Sequence, residues 1–172
     1  MAAEINIREA TAEDAEALAA IYAPYVRNTA ISFELEPPTP EEFATRISRT
    51  LERYPHFVAE HEGEIAGYAY AGAFKERAAY AKSVELSIYI DRKRRGKGIG
   101  RALYAALESE LGQRGVTNLY ACIAYPCVED EYLTRDSVSF HEHMGFTIVG
   151  RFHECASKFG REYDMVWMEK VI

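Results

Sequence analysis

A chain of 172 residues with 20 Lys and Arg against 27 Asp and Glu carries a formal charge of −7, which excludes a surface built to coat nucleic acid or anionic lipid. The length fits one domain, 1–172, able to bury roughly two thirds of its unfolded surface around its own core. Cys122, Cys127 and Cys155 form neither an even disulfide framework nor a C-x-x-C pair, the opening MAAEINIREA lacks a basic segment leading into an apolar one, and no run approaches the ~18 apolar residues of a membrane span. The expectation is a cytoplasmic protein with no membrane and no nucleic-acid partner.

In chain order, EINIREA alternates as a strand does, and Thr11 followed by Asp14 three residues on marks the N-terminus of a helix. Pro37, Pro38 and Pro40 break the chain before a second helix from Glu41 to about Arg53. HFVAEHEGEIAGYAYAGAF reads as a hairpin turning at Glu62–Gly63–Glu64, and VELSIYI as a further strand. Ile99, Leu103, Leu107 and Leu111 draw an apolar stripe along a helix ended by Gly115. NLYACIAY is a strand, SVSFHEHMGF a short helix with a glycine stop, and YDMVWMEKVI a last strand. Hairpins together with strand-helix-strand units predict an α/β fold with a mixed sheet covered by helices.

The chemistry concentrates in VELSIYIDRKRRGKGIGRAL. Val84, Leu86, Ile88 and Ile90 face one side of the strand, and Glu85, Ser87 and Tyr89 face the other. A polar outer face is the commonest antiparallel pattern, but here it leads into Gly96, Gly98 and Gly100 at the start of an amphipathic helix. Glycines let a ligand approach the backbone, and the helix N-terminus offers free N–H groups with partial positive charge, so the junction suits a phosphate. It is not a P-loop, because Gly98 follows Lys97 where Ser or Thr is required. It is not a dinucleotide fingerprint either, because Arg101 holds the third glycine position.

Arg95-Gly96-Lys97-Gly98-Ile99-Gly100 resembles the pyrophosphate loop of the GNAT superfamily of acyl-CoA-dependent N-acetyltransferases. The order of elements from Ile5 to Glu169 is similar to that superfamily throughout, and ISFELEPPTPEEF, AGAFKERAAY, VELSIYI, SVSFHEHMGF and KFGREYDMVWMEK resemble its phosphinothricin acetyltransferase group. The resemblance implies a mixed sheet splayed where the strands Val84–Ile90 and Leu119–Ala124 separate, with helices on both faces. It implies acetyl-CoA as co-substrate, no metal, a homodimer, and transfer of acetyl to the primary amine of a small molecule of the phosphinothricin or methionine sulfone type.

Residue by residue, the resemblance implies Glu85 as general base and His141 as acid or base. It places acetyl-CoA against the strand end Ile88, Tyr89 and Ile90, against Arg95, Gly96, Lys97, Gly98, Ile99, Gly100 and Arg101, and against Ser137. Phe33, Lys75, Arg77, Tyr80, Ser87 and Tyr89 are the candidates for the amine substrate, Lys75 and Arg77 suiting a carboxylate or an oxygen cluster. An amine near pKa ~10 must lose a proton before it attacks a thioester, which is the task of Glu85. His143 lies about 200° around a helix from His141, so the two form no metal pair, and His56, His61 and His153 read as solvated or structural.

Two features depart from the group. Thr134 stands at a position usually held by asparagine, and Glu129, Asp130 and Glu131 sit in an insertion that would either attract a cation or simply face water. Acetylation of a polyamine, an aminoglycoside or a peptide N-terminus, a CoA-binding sensor without catalysis, and a nucleic-acid module resting on RKRRGK are the competing readings.

Overall fold

The computed structural model describes residues 3–172. Seven strands form one mixed sheet: β1 Ile5–Glu9, β2 His56–His61, β3 Glu64–Ala73, β4 Ser83–Ile90, β5 Asn118–Tyr125, β6 Thr147–Lys158 and β7 Arg161–Val171, in the spatial order β1-β2-β3-β4-β5-β7-β6. Every neighbouring pair is antiparallel except β4 and β5, which run parallel. Their crossover is the helix α3, Ile99–Gln113, as a parallel connection requires.

Alternation along the strands divides the apolar residues between two faces. On one, α3 buries Ile99, Leu103, Leu107 and Leu111 against Val84, Leu86, Leu119 and Ala121, each side chain contributing about 1.5–3 kcal/mol of transfer free energy. The same face carries α4, Asp136–His143, through Val138. On the other, α1 (Ala15–Asn28) and α2 (Pro40–Leu51) place Leu18, Ile21, Tyr22, Phe43 and Ile47 over Val58 and Tyr68. Thr39 caps α2, its hydroxyl accepting from the Glu42 amide at 3.2 Å, with Pro40 in the first turn. The Thr11 signal opens a 3₁₀ turn, Ala12–Asp14, before α1 begins: the Asp14 carboxylate accepts from the Thr11 amide at 2.8 Å. Among the described residues no helix is long and apolar enough to cross a membrane.

The parallel pairing of β4 with β5 stops early. Ser83, Val84 and Glu85 pair with Asn118, Leu119 and Tyr120, and beyond that the strands diverge. The backbone edges of Leu86–Ile90 and Ala121–Tyr125 therefore face each other across a cleft without pairing to one another. This is the predicted splay, and it opens one residue past Glu85.

Candidate active site

The loop after β4 and the start of α3 form one wall of a groove of ≈520 Å³ lined by Tyr25, Ile31, Ile88, Tyr89, Ile90, Arg94, Arg95, Gly96, Gly98, Ile99, Gly100, Thr134, Asp136, Ser137 and Phe140. Gly98 is the N-cap of α3 at φ 81°, a left-handed conformation that an L side chain resists by about 1–2 kcal/mol. Gly100 is favoured for a different reason: a Cβ there would stand 3.0 Å from the Phe140 ring, which would have to shift to admit it. The first intrahelical bond runs from the Ala102 amide to Gly98 at 3.1 Å, so the amides ahead of it have no helical acceptor and point out of the helix end, as a pyrophosphate needs. Of the residues assigned to acetyl-CoA from the sequence, Ile88, Tyr89, Ile90, Arg95, Gly96, Gly98, Ile99, Gly100 and Ser137 line this groove. Lys97 and Arg101 lie exposed outside it.

The groove continues into the splay, where Leu86–Tyr89 and Ala121–Ala124 enclose a small cavity closed by Ile31, Tyr104, Leu133, Ser137 and His141. Tyr25 fixes the far end of β4, its hydroxyl donating to the Ile90 carbonyl with Arg92 5.4 Å from its ring.

On the opposite face of β4, Glu85 is half-buried. Burial raises its carboxyl above the ordinary value, and the charge of Lys75 opposes that rise. Ser87 and Tyr89 share this face. The Tyr89 ring packs edge-on to Tyr22 at 4.8 Å and Tyr25 at 5.2 Å, so it belongs to the aromatic core as much as to any substrate wall. Lys75 and Tyr80 are exposed on the β3–β4 loop, where the Phe74 ring stacks on Tyr120 at 4.2 Å and meets Tyr80 at 6.0 Å. Arg77 is exposed at the start of the 3₁₀ turn Ala78–Tyr80. Phe33, on the α1–α2 loop, packs 6.4 Å from the Tyr163 ring beside Ala124 and Leu133.

His141, expected as acid or base, has a partner at each ring nitrogen. It is buried, its Nδ1 lies 2.7 Å from the Ser137 carbonyl and its Nε2 2.7 Å from the Tyr104 hydroxyl. The carbonyl can only accept, so Nδ1 carries the ring proton and Nε2 receives the phenol hydrogen. Burial pushes the imidazole down to about 4, and it stays neutral with neither nitrogen free for a reacting group. Tyr104 was not visible from the sequence: it lies next to the apolar stripe, and its partner is 37 residues away.

The acidic insertion also departs from the cation-attracting alternative. The Asp130 carboxylate accepts from the Tyr132 and Leu133 amides at 2.8 and 2.9 Å and from the Tyr163 hydroxyl at 2.7 Å. Arg161 grips Glu131 with both terminal nitrogens, at 2.7 and 2.8 Å, and Glu129 accepts from the Arg135 amide at 2.9 Å. These acids fasten the insertion to β7 and to the start of α4. Thr134 keeps its place on the groove wall, its hydroxyl accepting from the Asp136 amide at 3.3 Å. His56 and His61 are buried, whereas His153 is exposed with its Nδ1 3.3 Å from the Asp164 carboxylate.

Comparison with known proteins agrees with this geometry. Residues 7–167 match the family described as Acetyltransferase (GNAT) domain. A phosphinothricin N-acetyltransferase of Streptomyces coelicolor is 36% identical over 173 residues, spanning 98% of this chain and 96% of the relative. A Pseudomonas paraeruginosa L-methionine sulfoximine/L-methionine sulfone acetyltransferase is 31% identical over 95% of this chain and 92% of its own. The crystal structure of a GNAT superfamily phosphinothricin acetyltransferase from Sinorhizobium meliloti in complex with AcCoA superposes with a TM-score of 0.89 at 34% identity, covering 100% of this chain and 89% of that one. A splayed sheet, a glycine-capped helix at the mouth of the splay and a family match over nearly the whole chain lead to one conclusion: this chain belongs to the GNAT acetyltransferases.

Proposed function

We propose that the chain transfers acetyl from acetyl-CoA to the primary amine of a small amino-acid analogue of the phosphinothricin or methionine sulfone type, with Glu85 as the general base. The observation that carries the reading is the place of Glu85: the last paired residue before the splay, half-buried on the strand face it shares with Ser87 and Tyr89, with a carboxyl raised by burial above its ordinary value. The names of the Streptomyces and Pseudomonas relatives support the substrate class.

The ammonium enters beside Phe33, Lys75 and Tyr80, and Lys75 and Arg77 receive its carboxylate. Glu85 takes one proton from the nitrogen, directly or through a water. The amine nitrogen then bonds to the thioester carbon, the carbonyl electrons move to oxygen, and a backbone N–H on the unpaired Leu86–Ile90 edge donates to that oxyanion. Collapse breaks the C–S bond. The proton still on the new amide nitrogen passes to the thiolate, so the neutral His141 is not called on as an acid; it holds Tyr104 and the Ser137 carbonyl in place. The reaction needs no metal, and the assembly is a cytoplasmic homodimer.

The test is thiol release from acetyl-CoA with L-phosphinothricin and L-methionine sulfone as acceptors. Wild type should acetylate at least one, and Glu85→Gln should lose about 10²–10⁴ in turnover while keeping its acetyl-CoA affinity. Full turnover in Glu85→Gln with an unchanged pH profile would place the base elsewhere.

A further inference from the structure

The turn between β6 and β7 lies far in sequence from the α1–α2 loop, yet its Lys158 ends inside that loop. Phe159 and Gly160 both have positive φ, 55° and 69°, which gives a two-residue hairpin of the kind that fixes its flanking residues as a pair. Lys158 is 5% exposed, and its Nζ donates to three backbone carbonyls: Val26 at 2.7 Å, Ser32 at 2.8 Å and Glu34 at 2.9 Å. An ammonium has three donors, and here all three are used.

The acceptors explain why a cation is needed. Val26 sits in the last turn of α1, where the Ala30 amide that would complete a helical bond donates instead to Tyr132 at 3.0 Å. Its carbonyl is therefore an orphan at the negative end of a helix. Ser32 and Glu34 belong to a loop without regular structure, so their carbonyls have no ladder to join. Three convergent buried carbonyls repel one another unless a positive donor sits among them. A plain helix cap would require only Val26. Two of the three bonds instead hold the segment 29–34, which carries Phe33, packed with Ala124, Leu133 and Tyr163, and sets Ile31 in the wall of both the splay cavity and the cofactor groove. On the outer side the Glu34 carboxylate accepts from Tyr22 and from Arg46 at 2.6 Å, so the loop is held from two directions.

We propose that Lys158 is a positioning residue for the amine substrate: its ammonium gathers the carbonyls of Val26, Ser32 and Glu34 and so sets the conformation of the loop that presents Phe33 to the acceptor. This rests on the reading that the amine binds beside Phe33 and Glu85.

The test uses Lys158→Met, which keeps the apolar stem and removes the donors, and Lys158→Gln, which restores two. Acceptor KM should rise at least about tenfold in Lys158→Met and less in Lys158→Gln, the loss expected when buried carbonyls are left unpaired. At saturating acceptor kcat should stay within about twofold of wild type, because Glu85 is untouched, and acetyl-CoA affinity by calorimetry should fall less than acceptor affinity, since the segment gives the cofactor groove only Ile31. In parallel, amide hydrogen exchange should speed up across residues 29–36 while α3 keeps its protection. That measurement needs no acceptor, so it reads on Lys158 even if the substrate class proposed above is wrong. Unchanged acceptor KM with unchanged exchange would overturn the proposal. So would an equal loss of acetyl-CoA affinity, or failure of both variants to fold, either of which would make Lys158 a general stabiliser of the core.

Discussion

At the scale of single residues, burial sets the protonation states that matter, and it acts in opposite directions on acids and bases. It raises the Glu85 carboxyl, so the acid limb of the kcat/KM profile should lie above the ordinary carboxylate value near 4.5 and should vanish in Glu85→Gln. It lowers His56 and His141, each to about 4 from 6.5. Between those values the unfolded chain binds protons that the folded one refuses. The stability tied to each neutral imidazole is therefore full above pH 6.5 and lost as pH falls through 4, on the order of 3 kcal/mol for each ring. Thermal unfolding followed across that window should show a steep drop. His56 allows a separate check, because its ring packs tilted 4.9 Å from Tyr70 with neither ring nitrogen partnered. His56→Phe should hold or raise the midpoint at pH 7 and flatten the acid limb. A lower midpoint at pH 7 would show that the nitrogens bind something.

Among the elements, α3 was the most legible in the sequence and β6 the least, for reasons that can be named. Ile99, Leu103, Leu107 and Leu111 repeat every four residues, and all four are buried, because one amphipathic helix against one sheet face leaves its period in the sequence. Its glycine-rich start was legible for the same local reason, and that start can be tested. Gly98→Glu should weaken acetyl-CoA binding at least about tenfold by calorimetry, because it strains a left-handed N-cap and sets a carboxylate where the pyrophosphate belongs. Gly98→Ala carries the strain without the charge and should fall between. Equal affinity in all three proteins would remove the loop from the site. By contrast nothing in the sequence marks β6 as a strand. Its pairing with β7 shifts register between Phe152 and Ala156 around Glu154 at φ 48°, and its side chains are mostly exposed on both faces, so no period of two survives. The same limit applied to His141. Its position can be matched from a local motif, but its neutrality comes from burial beneath elements distant in sequence, which include its partner Tyr104.

For the whole molecule, the outermost strand is long and carries Ile148, Val149 and Phe152 at 44%, 53% and 52% exposure. An apolar outer strand of this length calls for cover, and a second copy of the chain is the proposed occupant. Sedimentation at micromolar concentration should give a species near twice 19.5 kDa, and charged substitutions at Val149 and Phe152 together should shift it to the monomer. A monomeric wild type would count against the pairing. The splay has a mechanical meaning as well. Three residue pairs join β1–β4 to the half-sheet of β5, β7 and β6, so the sheet has a seam through its middle. A ligand lying between Leu86–Ile90 and Ala121–Tyr125 bridges the two halves and supplies partners to both edges, much as an added strand would. Acetyl-CoA at a hundred times its Kd should then stabilise the fold by about 2.7 kcal/mol, roughly 5–10 °C for a chain of this size, and slow exchange on both sides of the seam. The amine would meet a finished surface only after that bridge has formed, so the two substrates should add in a fixed order, acetyl-CoA first.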